Sequence, residues 1–154
     1  MDTLRQSGSI VIARSPAQIY DIVADVTRMG QFSPVCKECW WDEGDGPRVG
    51  ARFTGRNELP ERTWETTSEV VVADPGREFA FVVQATSTRW GYTFTAVDGG
   101  TEVIESWEFP PAAAAFFKER FGDDAEGQIA NRSEAARTGI VATLAAIKSA
   151  AEAS

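Results

Sequence analysis

The sequence contains no histidine. That absence removes the commonest general base and the commonest metal ligand, and with them every Ser-His-Asp or Cys-His nucleophilic arrangement. Cysteine is scarce: two residues, Cys36 and Cys39. A Cys-x-x-Cys spacing can mean zinc or redox chemistry. With no second pair and no histidine, a four-ligand zinc site would need carboxylates, which is uncommon in structural sites. Nor does the motif open a helix after a strand, and in a strand a spacing of three sends the two sulfurs to opposite faces. Two incidental cysteines in a reducing compartment is the expected reading. No stretch approaches the ~20 apolar residues of a membrane span. The opening Met1-Asp2-Thr3-Leu4-Arg5-Gln6 carries an acidic residue and no apolar run, unlike a secretory signal. Positive charge is in deficit, with 15 Lys and Arg against 23 Asp and Glu. The net charge of −8 disfavours phosphate backbones and anionic lipid headgroups. A cytoplasmic protein acting on something small, without metal or cofactor, is the default expectation.

What is present is a chain of 154 residues, 43% apolar, long enough for one domain over 1–154 with a real core. Gly8 to Arg14 alternates as a first strand. Ser15-Pro16-Ala17-Gln18 reads as a helix start, with Ser15 as cap and Pro16 at the first helical position. Ile19, Ile22, Val23 and Val26 give that helix an apolar stripe, and a second short helix is expected over Thr27 to Phe32, stopped by Ser33-Pro34.

From Val35 onward the period changes to two. Strands are predicted over Lys37–Trp41, Ala51–Asn57, Thr63–Ala73, Glu78–Gln84, Arg89–Val97 and Glu102–Phe109. They are separated by the turn sequences Gly44-Asp45-Gly46-Pro47, Leu59-Pro60, Asp74-Pro75-Gly76 and Asp98-Gly99-Gly100. Gly44-x-Gly46 is a hairpin loop and not a phosphate cradle, because no helix follows it. Short connections imply an antiparallel meander. A short helical piece over Ala112–Arg120 precedes a break at Gly122-Asp123-Asp124. A long helix from about Glu126 to Ala151 follows, roughly 35 Å in length. Ile129, Ala136, Ile140, Leu144 and Ile147 share one face of it, widened by Ala135, Val141 and Ala145. Arg132, Arg137, Lys148 and Glu152 lie opposite. The predicted fold is α+β: a curved antiparallel sheet of about seven strands wrapped around one long C-terminal helix, with two short helices after the first strand.

The richest signal lies in two late strands. Trp90, Tyr92 and Phe94 share one face of the first; Val103, Glu105, Trp107 and Phe109 share one face of the second. If the two faces coincide they form an aromatic wall with a single carboxylate in it. Alternation extends that wall to Trp64, Thr66 and Ser68, and to Phe79, Phe81 and Val83, with Phe53 and Trp40 as further candidates. Phe116 and Phe117 are placed to plug one end. Ile140 and Leu144 come from the covering helix. The bland alternative is that these side chains simply pack together as core.

Glu105 is the sharpest single residue. In phase with Val103 and Trp107, it points into apolar space, where desolvation raises a carboxyl pKa unless an Arg or a hydroxyl partners it. That suits general acid–base work or a polar anchor for a ligand. The alternatives are a bulge that turns Glu105 outward or a buried ion pair without chemistry. Arg56 and Arg89 are the nearest strand-borne partners, but alternation points both away; Arg132 could turn inward from the start of the helix.

Taken in order, Ser15-Pro16-Ala17-Gln18-Ile19-Tyr20-Asp21-Ile22-Val23-Ala24-Asp25, Phe32-Ser33-Pro34 and Val49-Gly50-Ala51-Arg52-Phe53 resemble the opening of small polyketide cyclase/dehydrase and lipid-transport proteins. These belong to the START-like (Bet v 1-like, SRPBCC) helix-grip superfamily. Trp90-Gly91-Tyr92-Thr93-Phe94, Gly100-Thr101-Glu102-Val103 and Ile104-Glu105-Ser106-Trp107 are similar to its later strands. The resemblance implies a hydrophobic ligand cavity without implying one reaction. Three functional readings follow. One is a carrier or sensor enclosing a lipid- or polyketide-like molecule. The second is a cyclase, dehydratase or hydrolase using Glu105 as acid or base, with Tyr92 or an ordered water assisting. The third, weaker, is an interaction domain with a filled core. The expected partner is a small hydrophobic ligand, with at most a weak homodimer, and no nucleic acid or integral membrane association.

Overall fold

Residues 2–44 and 46–154 are described by a computed structural model. The Gly44–Pro47 turn expected from the sequence includes Asp45 and so lies in part outside them. The seven strands are β1 (Leu4–Ile12), β2 (Cys36–Trp41), β3 (Arg52–Leu59), β4 (Arg62–Asp74), β5 (Glu78–Val83), β6 (Arg89–Val97) and β7 (Gly100–Phe109). They form one antiparallel sheet in the order β1-β7-β6-β5-β4-β3-β2. Six consecutive strands make the meander that the short turns predict, and β1 closes on β7. The two strands adjacent in sequence, β1 and β2, therefore occupy opposite edges.

Helix α1 (Pro16–Val23) and a 3₁₀ turn (Val26–Gln31) make the crossing between those edges. Ser15 starts α1 with a full capping box: its Oγ accepts from the Gln18 amide at 3.2 Å, and its own amide donates to Gln18 Oε1 at 2.9 Å. Asp25 caps the 3₁₀ turn, its Oδ1 accepting from the Thr27 amide at 3.1 Å. After β7, α2 (Pro111–Phe121) and a single 3₁₀ turn (Gly122–Asp124) lead into α3 (Ala125–Ala153), 29 residues long. Among the described residues no helix is long and apolar enough to cross a membrane.

The face of α3 that carries Ala136, Ile140, Leu144, Ile147 and Ala151 is buried, as its spacing predicts. Val141 is not part of it: at 65% exposure it faces solvent. The helix lies along β1. A Cβ added to Gly8 would come within 2.9 Å of Ile140 Cγ2, so this strand lacks a side chain where the helix crosses it. Gln6 Nε2 donates to Ser133 Oγ at 2.9 Å and Lys148 Nζ to the Val11 carbonyl at 2.9 Å, fixing helix against strand at two further points. Pressed against this one edge, α3 leaves space between itself and the middle of the curved sheet.

Candidate functional site

That space is a cavity of about 320 Å³. Its floor is the inner face of β3 to β7, where strand register fixes which side chains meet. Tyr92 stands opposite Glu105 and Trp90 opposite Trp107; Phe81 lies beside Trp90, and Phe53 beside Ser68. Phe53, Trp64, Phe81, Trp90, Tyr92, Glu105 and Trp107 all border the cavity, with Thr66, Ser68 and Val83 on the same face.

Seven other candidate residues stand elsewhere. Trp40 is 36% exposed and lies on the outer face of β2. A register shift between Cys36 and Glu38 changes the alternation of this strand, so phase carried over from the other strands misplaces it. Phe94 is buried but packs edge-on against Tyr20 of α1, with ring centres 5.9 Å apart. Phe79, on the same face, does likewise at 6.3 Å. Phe116 leans on Phe117, which is itself enclosed by Phe109 and Phe121, so neither plugs the cavity. Ile140 and Leu144 are spent on the contact with Gly8. From α3 the cavity is instead bordered by Arg132, Ala135, Ala136, Gly139 and Thr143.

The electrostatic centre is Glu105, 3% exposed. Tyr92 Oη donates to Glu105 Oε2 at 2.9 Å, while Oε1, also buried, has no partner among the described residues. Burial raises the Glu105 pKa from 4.5 to about 8, opposed by the Tyr92 hydrogen bond, which favours the anion. The phenol of Tyr92 is itself pushed well above its ordinary value, by burial first and by the adjacent carboxyl second. At neutral pH the pair is therefore a neutral acid beside a neutral phenol. The carboxyl retains a proton that Oε1 can donate to an acceptor in the cavity. Among the described residues no arginine forms an ion pair with Glu105: Arg56 pairs with Glu38 and Glu58, and Arg89 with Glu78, all on the outer face.

A second polar feature escapes the sequence pattern. Arg62, at the start of β4, and Arg132 of α3 border the cavity near Trp64 and Phe117. Arg62 covers the Trp64 ring at 4.0 Å and Arg132 the Phe117 ring at 5.5 Å. Among the described residues no carboxylate forms an ion pair with either. Burial, and then the charge of Arg62, pull the Arg132 pKa downward. Two like charges are thus held together without a counter-ion in a chain of net charge −8. Arg62 sits in a turn sequence, and only tertiary folding brings it to Arg132. Asn57 also borders the cavity, its amide donating to Thr66 Oγ1 at 3.2 Å. Among the described residues no cluster of three or more Cys, Asp or Glu side chains is placed to hold a metal ion.

A comparison with curated proteins finds no match. Among solved structures, the chain is 49% identical to a Polyketide_cyc-like protein of Corynebacterium glutamicum, over 98% of this chain and 93% of that one, with a TM-score of 0.73. The di-domain ARO/CYC protein BexL, from the BE-7585A biosynthetic pathway, shares the fold at 18% identity and a TM-score of 0.74; 99% of this chain matches 51% of that one. Ginseng major latex-like protein 151, from Panax ginseng, shares it at 14% identity and a TM-score of 0.59, over 70% of this chain and 79% of that one. Residues 3–145 match the family model described as polyketide cyclase / dehydrase and lipid transport, and the chain belongs to that family, within the helix-grip, Bet v 1-like superfamily.

Proposed function

We propose that the protein encloses a small, mainly apolar ligand between sheet and α3, as a carrier or sensor working in the cytoplasm. The observation that carries this reading is the unpartnered Oε1 of Glu105 in the wall of an apolar cavity. An unsatisfied buried polar atom costs about 1–3 kcal/mol, and a ligand carbonyl or hydroxyl would satisfy it. Aromatic rings from five strands supply the apolar enclosure. The counter-ion-free Arg62 and Arg132 favour a ligand that carries an anionic group. A polyketide- or lipid-like molecule with a carbonyl and a carboxylate has these properties. The two free thiols agree with a reducing setting.

The test is a titration of the purified protein with anilinonaphthalene sulfonate, with native mass spectrometry to detect co-purifying molecules. Gly139 borders the cavity, and a Cβ added there meets nothing within 4 Å. Gly139→Phe should fill the space without disturbing the fold. Saturable 1:1 binding by the native protein that Gly139→Phe abolishes is the expected result. No binding, or binding indifferent to Gly139→Phe, contradicts the reading.

One observation favours a second reading, a cyclase or dehydratase. A carboxyl with its pKa near 8 beside Tyr92 is equipped to act as a general acid on a carbonyl or a departing hydroxyl. If turnover of a polyketide-like substrate is found, Glu105→Gln should abolish it and leave binding nearly intact. Unchanged turnover would eliminate Glu105 as the acid.

A further inference from the structure

In a regular strand Cys36 and Cys39 would face opposite ways. The register of β2 against β3 instead advances by two residues on β2, Cys36 to Glu38, for one on β3, Asn57 to Arg56. Lys37 is the extra residue of a β-bulge, and the bulge returns Cys36 to the face of Cys39. Both sulfurs border the cavity and lie 3.2 Å apart, with Met29 Sδ 3.7 Å from Cys39 Sγ. Two glycines make room for this arrangement. A Cβ on Gly55, which stands opposite Cys39, would lie 3.0 Å from Cys39 Sγ and 3.1 Å from Cys36 Sγ. A Cβ on Gly30 would lie 2.1 Å from the Lys37 carbonyl, so the 3₁₀ turn braces the bulge through bare backbone.

The two thiols are not equivalent. The hydrogen bond between the two sulfurs, helped by the Glu38 backbone and the nearby Arg56 and Lys37 charges, lowers the Cys36 pKa against burial; the same bond and burial raise that of Cys39. Cys36 is thus the more readily ionised thiol of the pair. At 7% and 5% exposure they are reached through the cavity they border.

We propose that Cys36 and Cys39 are an oxidation site in the cavity wall, where a small hydroperoxide closes them to a disulfide. The Cys36 thiolate attacks the distal oxygen of the peroxide and breaks its O–O bond. This gives a Cys36 sulfenic acid and hydroxide (or an alkoxide), which takes up the proton Cys36 had released. Cys39 Sγ then attacks Cys36 Sγ; the S–O bond breaks, and the hydroxyl leaves as water with the Cys39 proton. Two thiols are oxidised by two electrons and one peroxide is reduced to two molecules of water, or to water and an alcohol. The disulfide ties the bulge closed beside Met29, Ser33, Pro34 and Val35, which border the same side of the cavity. The site borders the same cavity as Glu105, and its chemistry uses neither Glu105 nor Tyr92.

The experiment exposes the reduced full-length protein to hydrogen peroxide and follows intact mass, free thiols and peptide linkage. The expected result is loss of both thiols together, a mass lower by about two hydrogens, and a Cys36–Cys39 linked peptide that dithiothreitol reverses. Cys39→Ser should stop at a sulfenic acid on Cys36 that dimedone traps. In Cys36→Ser the remaining Cys39 should react at least tenfold more slowly. Retention of both thiols under excess peroxide, or sulfinic acid on Cys36 with Cys39 still free, would overturn the proposal; both are read on the native chain.

Discussion

Tyr92 and Glu105 face each other across β6 and β7, and the phenol donates to one carboxyl oxygen at 2.9 Å while the other has no hydrogen-bond partner among the described residues. This half-satisfied pair makes the stability of the protein depend on pH. Unfolded, Glu105 titrates near 4.5; folded, near 8. Between those values the folded state holds a proton that the unfolded state has released, so raising the pH favours unfolding. The contribution is whole below pH 4.5 and is lost as pH rises through about 8, and in full it amounts to up to about 5 kcal/mol. Denaturant unfolding across this range should show stability falling with pH in the native protein. In Glu105→Gln, where nothing ionises, that fall should be absent.

Removing the phenol separates the two influences on the carboxyl. Tyr92→Phe deletes the one hydrogen bond that favours the Glu105 anion, so the carboxyl should titrate above 8 when followed by carbon NMR. The variant should also lose about 1–3 kcal/mol, because both carboxyl oxygens are then unpaired. A carboxyl titrating lower in Tyr92→Phe would mean that solvent reaches it.

Two glycines predict opposite outcomes for the same change. Gly8→Ala drives a methyl to within 2.9 Å of Ile140 Cγ2 and should cost about 1–3 kcal/mol by forcing α3 off β1. Gly139→Ala points a methyl into open space from the middle of α3 and should stabilise by about 0.5–1 kcal/mol through helix propensity. Thermal melts of the two variants distinguish these signs.

Much of the fold was legible because its signals are local. Ser15-Pro16-x-Gln18 specifies a helix start through its own side chains, and the Gly- and Pro-containing turns leave a six-strand run no arrangement but a meander. Glu105 was legible as a carboxylate in phase with Val103 and Trp107, since β7 carries no bulge opposite β6. What was hidden depends on tertiary geometry. A bulge at Lys37 reverses the alternation of β2, which sends Trp40 outward and brings the two sulfurs together. The position of α3 over β1, not over the sheet centre, takes Ile140 and Leu144 out of the cavity and puts Gly139 into it, beside Arg132, whose inward turn the sequence had allowed. The approach of Arg62 to Arg132 joins a hairpin to a helix about 70 positions later in the chain, a relation no periodicity encodes.

The roles assigned to the arginines and to Glu105 can be separated with one probe, naphthoylpropionic acid, which has an aromatic body, a ketone and a carboxylate. Arg62→Gln and Arg132→Gln should each weaken the acid about tenfold and leave its methyl ester almost unaffected. Equal effects on acid and ester would assign the arginines a purely structural role.

The most direct measurement is the affinity of this probe as a function of pH, by calorimetry, for the native protein and Glu105→Gln. The ketone is held by a carboxyl that must carry its proton, so native affinity should be level between about pH 6 and 7, where the probe's own carboxylate stays ionised, and fall as pH rises through about 8. In Glu105→Gln, whose amide still donates but does not titrate, affinity should stay level. The same pH profile in both proteins, or no binding by either, would contradict a ligand anchored on neutral Glu105.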